Sequence, residues 1–565
     1  MARLCAARFG DNRLIYCLER VLKRKLYAML TVQVLAAIIL ASAQGAADAH
    51  LAQSQQENWK QCKSDDAKQS IAGCSSLIQS GQETGVNLAE AFKHRGSQYL
   101  HEGDYDHAIQ DFDQVLQLKP MSADVFYNRG RAYAHKRDDD RAISDYGHAL
   151  ALDSRLVDAF YARGIAYTNK GDYEHAIQDF DQALRLKPTS ADFFYGRGVA
   201  YTHAGDYDHA IQDFNQKLRL NPDSAEVYYD RALAYMHKSD YDRAIQDYDE
   251  AIRLKPGDAN AFDGRGLAYE HKGDYDRASQ EYDKALRINP NYVNALVGRS
   301  DVFRRQGDYD HAIQKYDQAL RIDPNCVSGL IGRADVFRVK GDYDSAIRDY
   351  DHALRIDPNS WQALFDRGRA YVNKGDNDRA IQDYDAALQL NPKSAAAFYN
   401  RALAYMHKDA YDRAIQDYDE ALRLKPDDAD SFYGLAVAYG HNGRNDLAMR
   451  AYDRALALNP TFAEAFNNRG FEYARRGDYD RAIEDYDDAI RFNPRLVMAF
   501  NNRSLAYAHK GEYRHAIADG GHFLWLKFGV LGIAMRLCVV ALVFASGFAI
   551  ERFRKRATMI RISES

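Results

Sequence analysis

Apolar and polar positions recur along this chain every 34 residues, and within each repeat they fall on two helical stripes. With Ala89 as position 1, twelve full repeats run to residue 496 and a thirteenth begins at 497. Positions 4, 7, 8 and 11 share one face of a first helix, and positions 20, 24, 27 and 28 share one face of a second. Position 8 is always Gly, Ala or Ser, position 20 is Ala from Ala108 to Ala516, and position 24 is aromatic in every full repeat. The small residues let the two helices approach, and aromatics at 4, 11 and 24 fill the space around that contact. Gly at position 15 suits a left-handed helix end and Asp at position 16 an N-cap, as in Gly171 and Asp172. All 11 prolines sit on the same grid at position 32, where each stops the second helix, and the one empty slot holds Ser154. The pattern predicts a helical repeat array, not several unrelated globular domains.

An aromatic, Gly, Tyr, Ala, aromatic, Ala and Pro at these places resemble the tetratricopeptide repeat, over residues 89 to about 518. The resemblance implies an all-α, right-handed superhelical solenoid of antiparallel helix pairs whose concave face binds extended peptides or partner helices. One departure is systematic. The family's apolar residue at position 7 is Arg in twelve of thirteen repeats, Leu435 excepted. A charge on a packing face needs an acceptor, and Asp at position 23 is placed to be one. Where position 7 becomes Leu435, position 23 becomes Ala451, which predicts pairing within a repeat, as Arg163 to Asp179; Lys315 opposite Arg299 is a counterexample.

Hydrophobic residues make up 46% of the 565 and charged residues 28%, ordinary for a folded chain. Setting aside +5 on residues 1–25 and +3 on residues 551–565, the net charge of −6 leaves −14 for the rest. An acidic array repels phosphate backbones, so no nucleic acid is expected as a partner.

The ends carry a different code. Basic residues up to Lys25 precede an uncharged run from Leu26 to Leu40 and a small-residue step at Ala41, Ser42 and Ala43. This is a signal-peptide layout over residues 1–43, or an uncleaved signal anchor. Residues 44–88 read as an N-terminal helical cap in which Cys62 and Cys74 form a disulfide. Residues 497–522 are a truncated thirteenth repeat, 523–550 a transmembrane helix containing Arg536, and 551–565 a basic cytoplasmic tail. Ala541, Ala545 and Ala549 form a small-residue row able to support a weak homodimer. Together these place the array in the bacterial periplasm on a single-pass inner-membrane protein.

No catalytic, cofactor or metal site is expected. Histidines recur at positions 13 and 19 in polar settings near the interhelical turn, as expected of solvated surface residues. The recurring Asp-x-Asp at positions 23 and 25 points its carboxylates about 200° apart on a helix, so they cannot converge on one ion. The candidate binding face comprises positions 2, 5, 9 and 12. Position 5 carries Tyr127, Tyr161, Tyr195 and Tyr229, expected to face solvent, and position 2 carries Asp124, Asp158, Asp192 and Glu226. An acidic rim over a tyrosine floor would favour peptides with Lys or Arg. In repeats 7 and 8, Asp301 with Arg304 and Asp335 with Arg338 are spaced to pair with each other. Residues 231–255 and 401–425 agree at 22 of 25 positions, a block duplication that favours surface extent over one irreplaceable pocket. The expected function is a membrane-tethered extracytoplasmic scaffold for protein partners. The alternatives are an accessory protein for envelope polysaccharide binding or export, and a glycosyltransferase-associated protein.

Overall fold

The computed structural model describes residues 11–528, and these are helical without a strand. Helix α1 (Asp11–Cys62) and α2 (Ala67–Ser80) precede the array helices, which pair as hairpins within each unit, from α3 (Gly85–Glu102) with α4 (Tyr105–Leu118) to α27 (Val497–His509) with α28 (Tyr513–Phe528). Contacts divide the chain into two compact units, Met1–Lys272 and Gly273–Ser565, each a stack of such hairpins.

The hairpin is built as its sequence dictates. Alanines at position 20 from Ala108 to Ala482 are fully buried, as are aromatics at position 24 such as Phe112 and Tyr316. A Cβ on Gly164 would stand 2.9 Å from the ring of Phe180, so position 8 must be small for this ring to seat. Gly171 ends its helix at φ 80°, and Asp172 caps the next by accepting from the His175 backbone N–H. Position 15 keeps its left-handed turn even without glycine: Arg137, Ser239 and Asp409 lie at φ 62°, 58° and 57°, a conformation costly to an L side chain. Proline, in contrast, is dispensable. The helix before Ser154 ends at Leu152, and its cap, Asp153, has φ −135° against −140° for Lys119 before Pro120.

The Arg–Asp pairing predicted within a repeat is present. Arg163 donates from Nε and Nη2 to both oxygens of Asp179 at 2.7 Å, and the same fork joins Arg95 to Asp111 and Arg503 to Asp519. Its second half was not legible beforehand. Nη1 of most of these arginines reaches back to position 25 of the preceding repeat, as Arg197 to Asp181 and Arg333 to Asp317, whereas Arg95 donates Nη1 to Ser75 and Arg163 finds Gly147 there. The two carboxylates of Asp-x-Asp therefore serve two different arginines, one in their own repeat and one in the next.

Two further rungs join neighbouring repeats. Rings at position 13 stack on position 17 of the repeat before, as His135 on Tyr105 and His509 on Tyr479 at 4.9 and 5.0 Å. Lys at position 14 pairs with Asp at position 18 of that repeat, as Lys340 with Asp310 at 2.5 Å. The position-13 histidines are exposed, as expected, and six of them also stack on a tyrosine of the repeat before, a contact worth about 0.5–1.5 kcal/mol for aromatic pairs. At position 19, His107 Nδ1 lies 2.7 Å from the capping carboxylate of Asp104.

The ends differ in part from the sequence reading. Helix α1 passes unbroken through Ala43, and its side chains from Leu18 to Leu51 are exposed. It is one helix long and apolar enough to cross a membrane, by length and composition. A disulfide joins Cys62 and Cys74, both fully buried at the junction of α1 and α2. The first array helix starts at Gly85, four residues before the repeat grid, and α28 continues through Gly520 and Gly521 to Phe528. Of the transmembrane helix expected over residues 523–550, everything beyond Phe528, with Arg536 and the row of Ala541, Ala545 and Ala549, lies outside the described residues, as does the basic tail.

Candidate functional site

The four tyrosines at position 5 are half-buried, which corrects the expectation that they face solvent. Each ring leans on the aromatic at position 24 of its own repeat: Tyr127 on Tyr146, Tyr161 on Phe180, Tyr195 on Phe214 and Tyr229 on Tyr248, at 5.7–6.2 Å. Stacking of successive hairpins then brings the phenol toward the carboxylates of the next repeat. Tyr195 Oη donates to Asp230 at 2.8 Å, with Glu226 also within its reach. Burial, and then these two acids, push the Tyr195 phenol up. Burial raises Tyr127 and Tyr161 as well, with Asp158 and Asp192 adding to it, while Arg131 opposes the rise at Tyr127.

The acidic rim is real but half neutralised. Asp124 is paired with Lys93 and accepts from Ser122, and these bonds outweigh burial to hold its carboxyl below the ordinary value. Asp192 accepts from Lys217 at 2.7 Å. Asp158 and Glu226 are exposed. Lys217 also lies 5.9 Å from the Tyr195 ring, so the cation over a tyrosine that a ligand was expected to supply is already supplied there by the chain.

Two carboxyls on this face escaped the sequence reading. Burial pushes Asp230 up to about 6, with Glu226 adding and the Tyr195 hydrogen bond opposing. Asp263, at position 5 where the preceding four repeats carry Tyr, is pushed up to about 7 by burial and then by Glu270. The interruption of the tyrosine run at 263 was the available signal.

In the second unit, Arg304 pairs with Asp301 at 2.9 Å and Arg338 with Asp335 at 3.5 Å, as their spacing requires. The buried phenols of Tyr316 and Tyr350 donate to the same two aspartates at 2.7 Å. Farther along, the first-helix face opens into two neighbouring cavities of about 250 and 190 Å³ that share Phe471 and Arg475. Phe471 and Leu505 are about half exposed there. Among the described residues no three His, Cys, Asp or Glu are grouped to hold a metal ion.

Family models cover most of the array. Those described as tetratricopeptide repeat match residues 123–155, 331–387, 365–429, 399–463 and 463–496, and one described as TPR repeat matches 96–136. The N-terminal ARM repeat of tetratricopeptide repeat protein 21 matches 157–347. The chain belongs to the tetratricopeptide repeat family. No curated protein matches it. Among solved structures it is similar to MamA, at 31% identity over 28% of this chain and 94% of that one, with a TM-score of 0.27. It is similar also to the Cut9–Hcn1 hetero-tetramer of the APC/C, at 15% over 80% and 95% with a TM-score of 0.40. The yeast protein Tom70 is 18% identical over 76% and 96%, with a TM-score of 0.33.

Tetratricopeptide repeats build protein-interaction scaffolds, and the arginine at position 7 shows how this chain adapts that frame. The ladder buries the aspartate and half-buries the arginine against the helices.

Proposed function

We propose that the chain is a membrane-tethered, extracytoplasmic scaffold that holds protein partners along its first-helix face. The observation carrying this reading is the row of half-buried tyrosines beside carboxylates of the next repeat, where Tyr195 donates to Asp230 and Asp158 and Glu226 stay open to solvent. Such a surface offers aromatic edges with negative charge beside them, a fit for basic peptide segments. The exposed apolar stretch of α1 would insert in the bilayer, either as a signal segment removed after Ala43 or as a retained anchor, with the basic residues before it on the cytoplasmic side.

Crosslinking and capture from intact cells tests this. Because the tyrosines pack against position 24, the variants should alter chemistry and not volume: Asp158→Asn with Glu226→Gln, and Tyr127→Phe with Tyr195→Phe. A partner captured by the native chain and lost from the charge variant, with circular dichroism unchanged, supports the reading. Equal capture by both removes this face as the site. Membrane fractionation and the mass of the mature chain decide between the two forms of tethering, and recovery in the soluble fraction would sink it.

A further inference from the structure

We propose that the cavity between repeats 11 and 12 is a seat for an arginine side chain of a peptide partner, and that Arg475 fills this role in the free protein. The inference deepens the scaffold reading, resting on it only for the ligand being a peptide.

Glu472 stands at position 10, which is Ala or Val in eleven of thirteen repeats. It is 5% exposed on the wall of the larger cavity, so a carboxylate has been placed where the fold asks for a methyl group. A buried carboxylate needs a cation, and Arg475 meets that need poorly. It approaches with Nη1 alone, at 3.0 and 3.2 Å from the two oxygens, in contrast to the two-nitrogen fork of the ladder arginines. Its side chain remains 46% exposed.

The cavity wall suits a guanidinium. Tyr452 and Phe471 contribute aromatic rings, Asn468 an amide and Val437 apolar surface. Gly440 contributes no side chain, and a Cβ there would stand 3.5 Å from Glu472 Oε1. The smaller cavity beside it, lined by Phe471, Ala474 and Leu505, would take an apolar side chain of the same extended segment.

Arg475 also has somewhere to go. It occupies position 13, whose side chains elsewhere meet position 17 of the preceding repeat. His135 stacks on Tyr105 in this way, and His407 Nδ1 lies 3.4 Å from Asn377 Oδ1. For Arg475 the matching residue is Asn445, whose Oδ1 is buried and has no hydrogen-bond partner. A ligand arginine bound at Glu472 would release Arg475 toward that open acceptor, so exchange leaves neither group unpaired.

The test is fluorescence anisotropy with the full chain and short labelled Ser/Leu peptides bearing one central Arg, Gln or Glu. The Arg peptide is expected to bind about ten-fold tighter than the Gln peptide. Glu472→Ala, the residue most repeats carry there, should abolish that preference, whereas Arg475→Ala should strengthen binding several-fold by removing the competitor. A purely structural pair would move both variants in the same direction. Equal binding of Arg and Gln peptides, preference for Glu, or no binding at millimolar peptide overturns the proposal. Partner capture in cells without an arginine preference in solution removes this pocket and leaves the scaffold reading standing; the converse removes the N-terminal face.

Discussion

Repeats 7 and 11 break the arginine ladder in opposite ways. Repeat 11 replaces both partners: Leu435 and Ala451 are each 6% exposed and pack as ordinary core. Repeat 7 keeps Arg299 but puts Lys315 where the aspartate belongs. Arg299 is left with Asp283 of the preceding repeat at 3.2 Å and a position 3.9 Å from the Phe303 ring, and its Nη1 is buried with no partner. A buried ion pair can be deleted as a unit at little cost, but half of one cannot, because the remaining charge keeps its desolvation penalty.

The largest expected effect comes from making repeat 3 resemble each case. Arg163 has one acidic partner, since position 25 of the repeat before it is Gly147. Asp179→Ala alone, which strands Arg163 as Arg299 is stranded, should cost about 3–5 kcal/mol locally, and adding Arg163→Leu, the pair found in repeat 11, should recover most of it. Native-state hydrogen exchange of the flanking hairpins reads this, because a repeat array need not unfold in one step. A double variant no better than the single one would refute the comparison.

A half-buried acid differs from a lone buried arginine, because it can discharge itself. Asp263 has a folded value raised from 3.8 to about 7, so its contribution to stability is present while it is protonated at low pH and lost as pH rises through 7. Asp263→Asn should therefore leave stability unchanged near pH 4 and raise it above pH 7, by at most about 4 kcal/mol. Chemical denaturation across that range would show a flattened pH profile; parallel curves would count against burial as the cause.

Restoring repeat 7 is the next step down. Lys315→Asp should give Arg299 its missing fork and add about 1–3 kcal/mol, read as slower exchange in residues 293–322. Smaller still is a backbone control outside the ladder: Ser239→Gly relieves φ 58° and should add about 1 kcal/mol, seen as a small rise in the denaturation midpoint.

Much of this was readable from local grammar. Hairpin boundaries, the need for a small residue at position 8, the left-handed turn at position 15 and the pairing of Arg163 with Asp179 all depend on residues within one repeat, where spacing along the chain fixes spacing in space. Even the position-32 proline proved redundant at Ser154, because the preceding cap already turns the backbone. The candidate face was legible only as a set of positions. The burial of Tyr127, Tyr161, Tyr195 and Tyr229 depends on how far each ring reaches across to position 24, and the neutralisation of Asp192 depends on Lys217, 25 residues away on another helix.

By itself, then, the sequence determined the hairpin, its register and its period, because helix propensity, caps and apolar stripes act over a few residues. Only the stacking of one hairpin on the next decided that Asp181 serves Arg197 and that His135 lies on Tyr105. It also buried Glu472 and left Asn445 Oδ1 without a partner, since each depends on which side chains the neighbouring repeat brings into reach and how much water it excludes.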